Sequence, residues 1–331
     1  MAFLNRALAR AGRLLLAAGL VAPALSLAAY PDKPVTLVVP FSAGGPTDKI
    51  GRDLAEALRK PMGQTVIVDN TAGAGGTLGT ARVVRAPADG YTLLVHHIGL
   101  ATAPALYKNL AYKNEQLEFL GLINEAPSTL IGKQALPATN FAELRKYIAA
   151  SGGKINLANA GVGSASHLCS LLLQNALKSD MVFVPYKGTG PAMNDLLGGQ
   201  VDLMCEQATN STPQIESKKV KAFGVTSAQR MTTVPALASI PTLAESGLTG
   251  FDFSVWHGLY APHGTPPAVL EKINAALRSA LKDPELIKRQ EALGITVVTD
   301  ERLAPAGHRK FFESEVGRWT KAIKDAGIQP E

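Results

Sequence analysis

Several short stretches set glycine, hydroxyl and amide residues where an apolar strand hands over to a helix. A chain can hold an anion there through its own backbone. The first is Pro40-Phe41-Ser42-Ala43-Gly44-Gly45-Pro46-Thr47-Asp48, directly after Val35-Thr36-Leu37-Val38-Val39. Gly44 and Gly45 lack Cβ atoms, so the backbone can turn sharply and present N–H groups to a ligand. Pro46 suits the first turn of a helix, and Thr47 or Asp48 can cap it. The free N–H groups and positive dipole end of a helix N-terminus favour an anion. The second stretch, 69–77, offers Asn70, Thr71, Gly73 and Gly75; the third, 159–167, offers Gly163, Ser164, Ser166 and His167. A fourth group, Glu206 and Gln207, follows the strand-like run 201–205. One such turn alone reads first as a bare strand-to-helix connection; the repetition favours a ligand.

Other chemistries fit less well. The run Gly73-Ala74-Gly75-Gly76-Thr77-Leu78-Gly79 has Leu78 where a dinucleotide fingerprint needs glycine. Gly161-Val162-Gly163-Ser164-Ala165 is not a nucleophile elbow, which leaves Ser164 as a hydroxyl donor beside a helix start. His96 and His97 close a strand without clustered acids, so no metal is expected, and no cofactor is expected either. Asp48 would repel an anion and reads as ordering its own loop. His167 fits two readings, a cationic donor to a carboxylate or a packed histidine. Trp256 reads as a core or hinge aromatic.

The elements around these residues alternate. Short apolar runs near 35–39, 65–68, 91–95, 155–158, 181–184, 201–205 and 220–226 are interleaved with amphipathic segments such as 50–58, 141–150 and 191–197. Such alternation indicates α/β architecture with parallel pairing, and ligands sit at the carboxyl ends of such strands. The extended runs 127–131 and 253–260 read as crossings, and helices over 266–281, 284–293 and 302–326 close the chain. The pattern restarts midway without a low-complexity linker, which predicts two α/β lobes.

Residues 1–29 read as an export signal: Arg6, Arg10 and Arg13, the apolar run 14–20, and Ser26-Leu27-Ala28 as a small-residue cleavage site. No cysteine stands there for a lipid anchor, and no twin arginine. The formal charge of +6 falls to +3 without the signal, because no acid precedes Asp32. With no basic block or stripe, nucleic acid is not an expected partner. The two cysteines, Cys169 and Cys205, fit either a disulfide or two buried thiols.

Taken together, 40–48, Asp69-Asn70 with 73–79, Asp89-Gly90-Tyr91-Thr92, 161–164 with His167, 185–188 and 195–202 resemble one known set. Arg230, Pro241-Thr242 with Glu245 and Gly247, Trp256-His257-Gly258 and 261–266 extend it. The chain resembles, over nearly all of its mature length, the substrate-binding receptors of tripartite tricarboxylate transporters, also known as Bug receptors. The resemblance implies a two-lobed (type II) periplasmic-binding-protein fold that closes like a flytrap on a small organic carboxylate, and no catalysis. On that frame residues 30–128 and 255–331 form lobe 1 and 129–254 lobe 2. The implied ligand contacts are Phe41, Ser42, Ala43, Gly44, Gly45, Asp48, Asn70, Thr71, Gly73, Gly75, Gly163, Ser164, Ser166, His167, Glu206 and Gln207. The implied partners are the membrane permease subunits of a tripartite tricarboxylate-type transporter, served by a soluble periplasmic monomer. The alternative is a sensor subunit presenting its ligand to a membrane two-component kinase. Two departures stand out: Cys205-Glu206-Gln207 where Phe-Asp-Asn is frequent, and Trp256-His257-Gly258 where Trp-Tyr-Gly is common.

Overall fold

Strand β1 (Val35–Val39) is apolar at four of its five positions because it is central, flanked in parallel by β2 (Val66–Asn70) and β3 (Thr92–His97). A strand covered on both faces has no use for alternating polarity. The computed structural model describes residues 30–325 and 327–330; residues 1–29, read from the sequence as an export signal, lie outside the described residues. By contacts the chain divides into Met1–Asp32, of which only 30–32 are described, and the body Lys33–Glu331.

Helix α1 (Pro46–Met62) starts on Pro46 and buries Ile50, Leu54 and Leu58, one face at i, i+4, i+8. Gly63 stops it in the left-handed region, its N–H reaching back to the carbonyls of Arg59 and Lys60. Helices α2 (Thr77–Val84) and α3 (Gly99–Leu106) follow β2 and β3. Strand β4 (Leu117–Lys133) then crosses the molecule. Up to Pro127 it pairs antiparallel with β9 (Ser254–Pro262), and from Ser128 with β7 (Leu203–Gln207) and β8 (Val220–Val225).

Beyond that crossing lies the second half. Helix α4 (Phe141–Ala150) is capped by the Asn140 side chain, and β5 (Asn156–Asn159) leads to α5 (Ala165–Leu177). Next come β6 (Val182–Pro185), α6 (Thr189–Leu197) and, after β7, α7 (Ala208–Glu216). The main strand order is β2-β1-β3-β9-β4-β7-β5-β6. Pairing is parallel toward each outer edge and antiparallel through β4 and β9 in the middle. The chain returns to the first half through β9, α8 (Pro267–Ala280), α9 (Pro284–Glu291), β10 (Thr296–Val297) and α10 (Pro305–Asp325). Helix α10 packs on α3 and β4, burying Phe312, Trp319 and Ile323.

The crossings are stitched at one residue. Thr226 is fully buried; its hydroxyl donates to a backbone carbonyl, with those of Ser128 and Phe253 at 3.0 and 2.6 Å, and it accepts the Ser128 N–H at 2.8 Å. Cys169 of α5 and Cys205 of β7 form a disulfide, their Cα atoms 6.0 Å apart.

Candidate functional site

The glycine loops of the two halves meet around a small, partly open cavity at the ends of β1, β3, β5 and β7. One half contributes Phe41, Gly45, Pro46, Thr47 and His97; the other contributes Ala160, Ser164, Ala165, Ser166, Thr189, Glu206 and Gln207. The space open to the centre of a water-sized sphere is about 20 Å³. A larger groove of about 580 Å³ around Arg230, Lys288 and Gly294 takes in none of the glycine loops.

Four helix starts converge on this cavity. Gly45, Ser164, Gly188 and Gln207 are the N-caps of α1, α5, α6 and α7, and only Ser164 caps with its own side chain. The other three helices leave first-turn N–H groups without a side-chain cap, and all four dipoles point their positive ends inward. No lysine or arginine lines the cavity, so any positive potential there comes from backbone.

The first loop is held from behind. Asn70 Nδ2 lies 3.0 Å from the Phe41 carbonyl and 2.9 Å from Asp48 Oδ1, while Asp48 Oδ2 accepts from the Gly44 N–H and Arg52 Nε, each at 2.9 Å. Burial pushes the Asp48 carboxyl up, but the hydrogen bonds from Arg52, Gly44 and Asn70 outweigh it and hold its pKa below the ordinary value. Asp48 and Asn70 thus brace the loop behind the cavity wall. The cap itself is the Gly45 backbone, neither Thr47 nor Asp48.

Of the two adjacent glycines, Gly45 faces the cavity. Gly44 sits at φ +81° with nothing within 4 Å of a built Cβ, so it serves the turn. A Cβ on Gly45 would come 2.7 Å from Thr189 Oγ1 on the facing half. Ser42 and Ala43 lie against the opposite loop, beside Gly188 and Gly190. Thr71 binds Arg82, and Gly73 packs on Leu78.

His97 stacks on Phe41 with ring centroids 4.5 Å apart and accepts the Gly99 N–H on Nδ1 at 2.9 Å. Its Nε2 therefore carries the hydrogen of the neutral ring. Burial, then the neighbouring His96 and His257, hold its pKa well below the usual histidine range. Behind Thr47 runs a buried chain: Thr47 Oγ1 to His257 Nε2 at 3.5 Å, His257 Nδ1 to Asn124 Oδ1 at 2.9 Å, and Asn124 Nδ2 to Gln290 Oε1 at 2.9 Å.

On the facing half, Asn159 Oδ1 accepts the Gly161 N–H and Ser166 Oγ the Ala160 N–H, each at 2.9 Å. His167 accepts the Gly163 N–H at Nδ1, and burial lowers its pKa to about 4. It is the packed, neutral histidine of the two readings, and it shapes the loop from outside the cavity lining. Glu206 and Gln207 form the floor. Burial pushes Glu206 up to about 8, although the Gln207 N–H and Asn210 side chain pull the other way.

Sequence reasoning missed Thr47 as a wall residue, and also His97, Ala160, Ala165 and Thr189. His97 had a visible signal, a polar residue ending an apolar strand; Thr189 had one in the Gly-Thr-Gly before Pro191. Contacts across the cavity show the halves shut: Tyr107 Oη donates to the Val162 carbonyl at 2.6 Å.

Known proteins share this architecture. A protein of Agrobacterium vitis, described as "UPF0065 protein in the TAR-I ttuE-ttuC' intergenic region", is 46% identical over 299 residues, 90% of this chain and 86% of that one. The solved periplasmic binding protein BugD is 47% identical with a TM-score of 0.88, covering 91% of this chain and all of its own. MatC of Rhodopseudomonas palustris, solved with malate bound, is 38% identical with a TM-score of 0.84, covering 89% of this chain and all of its own. These neighbours carry the two-lobed binding-protein fold, and this chain shares it. Residues 50–328 match the profile described as "Tripartite tricarboxylate transporter family receptor", and the chain belongs to that family of solute receptors.

Proposed function

We propose that this protein is a periplasmic receptor that captures a small organic carboxylate between its lobes and delivers it to a tripartite tricarboxylate-type permease, without catalysing a reaction. The observation that carries the reading is the convergence of four helix N-termini on one cavity free of lysine and arginine. Backbone donors of this kind suit a carboxylate and keep it exchangeable, as a delivery protein requires. The malate bound to MatC supports the ligand class.

On this reading the two lobes divide the labour. Lobe 1, assigned to 30–128 and 255–331, offers the start of α1 with Thr47 and His97. Lobe 2, assigned to 129–254, offers the starts of α5, α6 and α7. A ligand touching both favours the shut state over the open one by the contacts it gains on closing. The hinge lies where Ser128, Thr226 and Phe253 cross.

Mass spectrometry of ligand released from the purified protein, followed by calorimetry with the acid identified, tests the reading. The expected result is a carboxylate that binds one per chain and reduces the radius of gyration in small-angle scattering. Release of a neutral or purely cationic ligand, or unchanged scattering at saturation, counts against it.

A further inference from the structure

The floor of the cavity carries buried acceptors that lack a well-placed donor. Glu206 is 1% exposed and Gln207 5%, and both line the cavity. Glu206 Oε1, Glu206 Oε2 and Gln207 Oε1 are buried with no hydrogen bond of good geometry among the described residues; the Gln207 N–H and the Asn210 side chain, whose Nδ2 is itself unpaired, lie near enough to act on Glu206 without pairing it. Buried oxygens are nearly always paired, because an unpaired one keeps its full desolvation cost. An ionised carboxylate cannot supply the pairing: it has only lone pairs and repels Glu206.

The surroundings offer no charge to offset that repulsion. From β3 comes His97, and His167 lies behind the loop before α5; burial keeps both neutral. From α7 comes the uncharged Asn210 amide. The first loop and the start of α6 bring only Phe41, Gly45, Pro46, Thr47 and Thr189 to the lining. Asp48 is turned away toward Arg52.

We infer that Glu206 and Gln207 form a subsite for a hydrogen-bond donor, so that the preferred ligand is a carboxylate whose far end carries an ammonium or hydroxyl group instead of a second ionised carboxylate. This rests on the carboxylate reading above and narrows it. The helix starts take the ligand's carboxylate; the floor takes the donor.

The two ligand types differ in their proton balance. An ammonium leaves Glu206 ionised, so its binding is flat above the ordinary carboxylate range and weakens below it. Burial raises Glu206 from the ordinary carboxylate range to about 8. Dicarboxylate binding therefore requires a proton on Glu206 or on the ligand's own far carboxyl, and weakens as pH rises above the ordinary carboxylate range.

Calorimetry with two matched series tests this: 4-aminobutyrate, 4-hydroxybutyrate and succinate, and their three-carbon counterparts β-alanine, 3-hydroxypropionate and malonate. In the better-fitting series at pH 8, the amino or hydroxy acid should bind at least tenfold tighter than the diacid. The gap should narrow toward pH 5, and Glu206→Gln should bring the diacid within about threefold. A diacid that binds tightest at pH 8, or a preference unchanged in Glu206→Gln, overturns the inference and leaves the carboxylate reading standing. No binding by any member of either series removes both. Should Glu206→Gln fail to fold, the wild-type pH series decides alone.

Discussion

Gly75 and Val162 meet across the cavity so closely that a Cβ built on Gly75 would lie 1.8 Å from the Val162 carbonyl oxygen. Gly75 belongs to the loop after β2, and Val162 to the loop before α5. That same carbonyl accepts the Tyr107 hydroxyl at 2.6 Å. The shut state thus depends on a position where only hydrogen fits. The left-handed φ of +60° at Gly75 adds a conformational reason for glycine.

Gly75→Ala should separate closure from folding. The methyl group meets backbone, which cannot swing aside, so the halves stop short of contact. Ligand affinity should fall on the order of a hundredfold, equivalent to about 3 kcal/mol of contacts made only when shut. Stability without ligand should drop by only about 1–2 kcal/mol, the cost of the left-handed conformation. Calorimetry and urea melts measure the two separately; equal affinity in the variant would show that binding does not need the full closure seen here.

The disulfide makes a second prediction. It joins α5, which is capped by Ser164, to the middle of β7, next to Glu206, across a sequence separation of 36. Closing a loop of that length stabilises by roughly 2–4 kcal/mol. The Cys169→Ser/Cys205→Ser variant should lose about that much in urea melts and bind ligand more weakly, because both walls of the second half loosen. Matching melts with and without reductant would show that the bond bears no part of the stability.

Buried histidines set the acid limit. Burial lowers His96 and His167 to about 4, His257 and His308 to about 3, and His97 well below the ordinary range. Folded-state values below the unfolded 6.5 mean that the unfolded chain binds more protons in acid. The stability contributed by the neutral rings is complete above pH 6.5 and is lost as pH falls through the window down to about 3. Each histidine adds up to about 1.4 kcal/mol per pH unit within it. Urea midpoints should decline gently from pH 7 to 8 as Glu206, raised by burial to about 8 in the fold, loses its proton. On the acid side they should fall steeply between pH 6.5 and 5. A flat profile across that range would mean the rings are hydrated or already charged.

Much of this was legible in the sequence, for identifiable reasons. Val35–Val39 and α1 could be read because a wholly apolar run, Pro46 and Gly63 act locally. Helix α4 could be read because Asn140 caps an amphipathic segment. Helix α3 was not legible: Gly99–Leu106 is small and apolar all round, and buried on most faces, so it carries no 3.6-residue period. Helix α7 hid behind Thr209, Asn210, Ser211, Thr212 and Pro213, which read as loop. The full length of β4 was masked by Gly121 and Pro127 and by burial on both faces. At the site, the loop glycines were visible, but which of Gly44 and Gly45 faces the cavity depends on φ and on Thr189, a residue more than a hundred positions away. His97 joins the wall only through the position of β3 in the sheet.

That position has a consequence for how the chain acquires its structure. Strand β9 lies between β3 and β4, yet it comes from residues 254–262, long after both neighbours. A chain synthesised only as far as residue 253 holds β3 and β4 with the edges meant for β9 bare, and the sheet of the first half cannot be completed. Closing such distant pairings is slow, because loop entropy is lost before contacts form. The binding half that begins first in the sequence is therefore finished last, and until then it presents strand edges open to aggregation.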